Sequence, residues 1–159
     1  MKNIVVLITL SLFVSCGSSE KKKKGFEYNR TQKEEKKNTT ADVSEVPIDL
    51  NNKGIGPVKS LTFEEAINQD MAEKGEAAFK QKCTACHMVD RKLIGPSMKG
   101  IYERRSPEWV VNFLLNPTEM LQQDPIAKAL LKQYNNVMML NQNLSEEEAR
   151  AITEYLRTL

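Results

Sequence analysis

An all-α fold of about four helices is what this sequence predicts, and three observations carry the prediction. Helix-start chemistry recurs in the second half of the chain. Ser106-Pro107-Glu108, Asp124-Pro125 and Ser145-Glu146-Glu147-Glu148 each put a side-chain acceptor ahead of a helix-forming run. Apolar residues behind these starts recur at three- and four-residue spacing, as one face of a helix requires. No run of alternating or β-branched residues is long enough for a strand, and no internal repeat is evident.

The first helix is expected from Asp70 to Cys83, with Asp70 as its N-cap and Met71, Ala78 and Phe79 among its apolar positions. The second opens at Ser106 with Pro107 in its first position. It stops at Asn116-Pro117, because a residue before proline is pushed out of the helical region. The third starts at Asp124-Pro125 and carries Ile126, Ala129, Leu130 and Tyr134. The last has a capping box, in which Glu148 reaches back to the Ser145 amide. It presents Ala149, Ile152, Tyr155, Leu156 and Leu159 on one side, with Arg150 and Arg157 expected to face outward.

The N-terminal third reads differently. Met1-Lys2-Asn3 and the apolar stretch from Ile4 to Val14 form a secretory signal. That stretch falls well below the roughly twenty residues of a membrane span. Leu12-Phe13-Val14-Ser15-Cys16 resembles a bacterial lipobox, which implies a signal peptide over residues 1–15 and a diacylated Cys16 as the mature N-terminus. With two or more acyl chains, anchoring is stable. Residues 16–52, with Lys21-Lys22-Lys23-Lys24 and few large apolar side chains, read as a flexible linker that cannot bury enough surface to offset its ordering entropy. The lysine run suits anionic headgroups beside the anchor, or simply solubilises the linker. Asn52-Lys53-Gly54-Ile55-Gly56-Pro57-Val58 is a turn-rich boundary, so the folded domain is expected over 53–159. From Gly17 to Lys59 ten Lys or Arg face seven Asp or Glu, whereas from Ser60 onward twelve face fourteen. The basic pI of 8.4 therefore belongs to the tail and argues little for nucleic acid.

Cys83-Thr84-Ala85-Cys86-His87 carries the chemistry. C-x-x-C-H is the attachment signature of c-type haem: two thiols form thioethers with the porphyrin vinyls and the adjacent imidazole ligates iron. A structural zinc site needs four ligands. With one His in the chain and Cys16 explained separately, only Cys83, Cys86 and His87 remain, so the set is one ligand short. A thioredoxin-like dithiol expects a βαβ setting, which is absent here. Bacterial c-type haem is attached outside the cytoplasm, so an exported C-x-x-C-H is a consistent combination.

With these features in order, residues 70–159 resemble the class I cytochromes c. Gly75-x-x-x-Phe79 ahead of the motif and Tyr155 on the last helix match the family's crossing of terminal helices. Without a Cβ, Gly75 permits close backbone approach, at a helix cost of about 1 kcal/mol relative to Ala. The resemblance implies that the Pro96 carbonyl of Gly95-Pro96 accepts a hydrogen bond from His87, with Leu93, Ile94 and Met98 walling that face. It implies that residues such as Tyr102, Arg104, Arg105 and Trp109 bind the haem propionates or wall the haem. It also implies a methionine as the second axial ligand. Met88 is too close to His87, and Met71, Met98 and Met120 belong to the first helix, the proximal loop and a helix-linker region. Met138 and Met139 remain, and the family's spacing before the last helix favours Met139.

The function this implies is a lipid-anchored periplasmic electron carrier with one covalent haem c, passing electrons between redox-protein partners. A looser resemblance, over Ser106 to Pro117, Asp124 to Lys128 and Asn141-Gln142-Asn143, points to small cytochromes associated with copper-containing nitrous oxide reductase systems. Two other readings stand beside it: a haem peroxidase or gas sensor with a labile methionine, and a haem subunit fixed in a larger complex. The absence of a second histidine counts against peroxidase chemistry.

Overall fold

Residues 46–159 are the part of the chain that the computed structural model describes, and they contain five α-helices. The expected signal segment, Cys16 and the four-lysine run lie outside the described residues. Helix α1 spans Gln69–Lys82, α2 Pro107–Leu115, α3 Pro117–Gln123, α4 Pro125–Gln133 and α5 Glu146–Leu156, with a 3-10 turn at Ile101–Glu103. Among the described residues the only strand-like pairing is a single bridge between Asp49 and Arg105.

The caps explain where the helices start. Ser106 accepts from the Trp109 amide, Asp124 from that of Ala127, and Ser145 and Glu148 form the full capping box. Two expectations are corrected. The N-cap of α1 is Asn68, whose Oδ1 accepts from the Met71 amide at 3.0 Å; Asp70 already lies in the first turn, where its charge favours the helix dipole. Asn116-Pro117 does end α2, but it also begins α3. Asn116 leaves the helical region (φ −139°, ψ 58°), and Pro117 occupies the first position of the next helix. Met120, expected in a linker region, is therefore on α3 and has 0% exposure.

Helices α1 and α5 cross at Gly75. A Cβ at that position would overlap the Ala151 carbonyl of α5, so only glycine allows the two backbones to meet. Phe79 and Tyr155 pack beside the crossing with ring centroids 5.5 Å apart. Ala149, Ile152 and Leu156 are buried against α1 and α2, each large apolar side chain contributing about 1.5–3 kcal/mol. Arg150 and Arg157 do not face outward as expected. Both turn onto Glu154, at 3.0 and 2.6 Å, and lie over the Phe63 ring. The cause is Glu154 itself, a carboxylate only 1% exposed, which also accepts from the Asn68 amide at 2.9 Å. Such a buried charge needs cationic partners.

The expected linker boundary at 52/53 falls inside a packed segment. Pro47 accepts from Arg105 at 2.9 Å, the Asp49 amide donates to the Arg104 carbonyl, and Asn52 accepts from Ser106 and donates to Asp124. Asn112 donates to the Lys53 and Val58 carbonyls and accepts from the Val58 amide. The Leu61 amide donates to Glu108. Arg105, Ser106, Glu108, Asn112 and Asp124 are thus five of the seven buried polar side chains among the described residues, and all take partners from this strap. Gly54, at φ +69°, lets the strap lie against the Met120 side chain.

Replacing Asn112 by Ala orphans three strap groups and should lower unfolding free energy by about 2–3 kcal/mol in a denaturant titration. A second expectation concerns acid. Burial pushes the Glu154 carboxyl up, but bonds from Asn68 and Arg150 and the charge of Arg157 outweigh it, leaving the pKa below its ordinary value. Its contribution is complete above the unfolded pKa of about 4.3 and is lost as pH falls through the folded value below it. A thermal melt series should show the stability gap between wild type and Glu154→Gln narrowing below about pH 4.3.

Candidate haem site

The chain continues its helical path past α1. Cys83 caps the helix with helical backbone angles, and the Cys86 and His87 amides both bond to the Cys83 carbonyl, at 3.1 and 2.9 Å. One turn of backbone thus carries both sulfurs and the imidazole. Neither cysteine is paired in a disulfide; Cys83 is buried and Cys86 exposed. Burial pushes the Cys83 thiol up to about 11, the reverse of the depressed value expected of a reactive dithiol. Among the described residues no three His, Cys, Asp or Glu side chains converge as a zinc site would need.

His87 is held from two sides. Its Nδ1 lies 3.0 Å from the Pro96 carbonyl, the contact that the resemblance implies. A carbonyl can only accept, so Nδ1 carries the proton and Nε2 keeps the lone pair that a metal ligand needs. Gly95 lies against the ring, and a Cβ there would run into the imidazole. The Gly95 amide returns to the Cys86 carbonyl at 2.8 Å, which closes the loop under the histidine. Met98 is buried in the core, while Leu93 and Ile94 are exposed. Two thiols on one turn, an imidazole with a fixed tautomer and a glycine cradle beneath it form a donor set that fits a covalently held haem.

The second loop leaves α4 at its C-cap, Tyr134. Asn135 and Asn136 both adopt left-handed backbone, at φ 57° and 58°, and Asn143 does so at φ 50° near the far end. Asparagine tolerates this region better than most residues; at the far end the Asn141 side chain accepts from the Asn143 amide at 2.8 Å. Between these points Val137, Met138 and Leu140 are exposed, with Met138 at 59%. Met139 alone of the four is partly buried and packs against the core. The asparagine doublet was missed in sequence, although Asn is a common residue just past a helix end.

The four residues that the resemblance assigns to the propionates or the haem wall also bond within the protein. Tyr102 donates to the Thr153 carbonyl at 2.8 Å and packs on Phe63, and burial pushes its hydroxyl pKa up. Arg104 donates to the Lys99 and Ser97 carbonyls, bracing the chain just beyond Pro96. Arg105 holds the strap, and Trp109 donates to Asp124 at 3.1 Å. Of the four, only Arg104 bonds to the segment that follows the histidine loop.

Gly95→Ala should force the imidazole aside and cost about 1–3 kcal/mol in denaturation of the haem-loaded protein. Pro96→Ala keeps the accepting carbonyl and should stay within about 1 kcal/mol of wild type. The opposite order would contradict the cradle.

A family model for cytochrome c matches residues 72–159. Cytochrome c2 from Rhodopseudomonas palustris (strain ATCC BAA-98 / CGA009) is 28% identical over 124 residues, which cover 63% of this chain and 88% of that protein. Cytochrome c-551 from Stutzerimonas stutzeri is 44% identical over 46 residues, covering 28% of this chain and 44% of that protein. Among solved structures, cytochrome c from Rhodothermus marinus aligns with a TM-score of 0.63 and 45% identity, over 65% of this chain and 88% of that one. The chain belongs to the cytochrome c family, with the all-α class I fold and one covalently attached haem c.

Proposed function

We propose that this chain is a monohaem electron carrier, lipid-anchored at the periplasmic side of a bacterial membrane, with His87 and Met139 as the axial ligands. The observation that carries the ligand pair is the contrast in the loop before α5, where Met139 packs against the core and Met138 is exposed. His87 is the chain's sole histidine, so a second imidazole ligand from this chain is impossible. Bound haem supplies a one-electron couple whose potential a thioether ligand raises.

The residues act by holding. Cys83 and Cys86 fix the macrocycle, the Pro96 carbonyl orients His87 and leaves Nε2 to ligate, and the Met139 loop presents a soft donor. Outer-sphere transfer needs no open coordination position, which suits two ligands on braced loops. The lipobox-like Cys16 supports the anchor. The anchor would raise the effective concentration of the domain near membrane-bound partners. The proposed acceptor is a copper-containing nitrous oxide reductase, on the resemblance of Ser106 to Pro117, Asp124 to Lys128 and Asn141 to Asn143 to cytochromes of those systems.

The visible spectrum of the oxidised protein tests the ligand assignment. Met139→Ala should abolish the weak far-red band of methionine-ligated haem, and Met138→Ala should retain it. Rapid binding of carbon monoxide to reduced wild type would instead favour a gas sensor. For the anchor, Cys16→Ser should end incorporation of labelled palmitate and release the protein from the membrane fraction; unchanged labelling would contradict the lipobox assignment.

A further inference from the structure

The two proposed ligands sit on separate loops, His87 ahead of residues 88–96 and Met139 within 135–144. Among the described residues no hydrogen bond or ion pair joins these loops to each other. A different contact reaches across. Lys92, between His87 and Pro96, places its Nζ 4.5 Å from the ring centroid of Tyr134, the residue that ends α4 and opens the methionine loop. Tyr134 is also where that loop is fastened: the Val137 amide donates to its carbonyl at 3.1 Å, and Asn136 donates to Leu131 at 2.8 Å. Asn135 and Asn136, immediately after it, hold left-handed backbone and turn the chain out of α4.

We propose that Lys92 and Tyr134 form a latch between the two ligand loops that keeps the Met139 loop closed. Both are positioning residues, acting through the loop that carries the ligand, and the proposal rests on the His87/Met139 reading above. An ammonium over an aromatic face at an exposed site biases the closed state by about 2- to 5-fold. An external ligand binds only when the Met139 thioether leaves, so its apparent affinity reports the open fraction.

Imidazole titration of the oxidised, haem-loaded full chain, followed by loss of the far-red band, tests the latch. Lys92→Gln and Tyr134→Leu should each raise imidazole affinity about 2- to 5-fold. The double variant should exceed neither single one, and Tyr134→Phe, which keeps the ring face, should behave as wild type. Unchanged affinity in both single variants, strict additivity in the double variant, or Tyr134→Phe behaving like Tyr134→Leu would overturn the latch alone. A wild-type protein without the band would overturn the ligand reading and the latch with it.

Discussion

The backbone contact at Gly75 is the constraint on which the rest of this molecule depends. Helices α1 and α5 meet there with no side chain between them, and both proposed ligand segments hang from those two helices. The turn bearing Cys83, Cys86 and His87 leaves the end of α1, while the loop bearing Met139 feeds the start of α5. Lys82 and Glu148, 2.7 Å apart, tie the same two ends together, and Glu148 also closes the α5 capping box. Fixing one crossing therefore fixes the relation between the attachment turn and the helix that receives the opposite loop.

A second layer of order comes from polar burial. The buried Glu154 binds the α1 cap and two arginines into one cluster around Phe63. The strap from Pro47 to Leu61 satisfies polar groups of α2 and of the Asp124 cap of α4, groups that would otherwise be stranded in the core. Trp109 joins this network through Asp124. The strap lies ahead of residue 72, where the match to the family begins, yet the helices of the family domain depend on it for their hydrogen bonds.

What the sequence made legible was local chemistry. Ser106, Asp124 and Ser145 announce helices because each supplies an acceptor that the first turn needs, and Gly75, Gly95 and Pro96 stood out through the family resemblance. The errors arose where one residue serves two neighbours or a distant one. Pro117 ends one helix and begins the next, so a stop signal concealed α3. Arg150 and Arg157 look solvent-facing until Glu154, on the same helix, is seen to be buried. Residues 46–52 read as the end of the linker because the stretch ahead of them is rich in Lys, Glu, Asn and Thr; their order comes from acceptors and donors about fifty to seventy residues away, a pairing that no local pattern encodes.

The central claim is that a fixed His87 and the partly buried Met139 hold the iron between them. A proton NMR spectrum of the reduced, haem-loaded protein, with methionine methyls labelled and assigned by substitution, tests it most directly. A methionine bound to the iron sits against the porphyrin face, where the ring current shifts its methyl resonance far upfield. The account predicts one such resonance, belonging to Met139. Assignment of that resonance to Met138, or a spectrum with no upfield methyl, would contradict it.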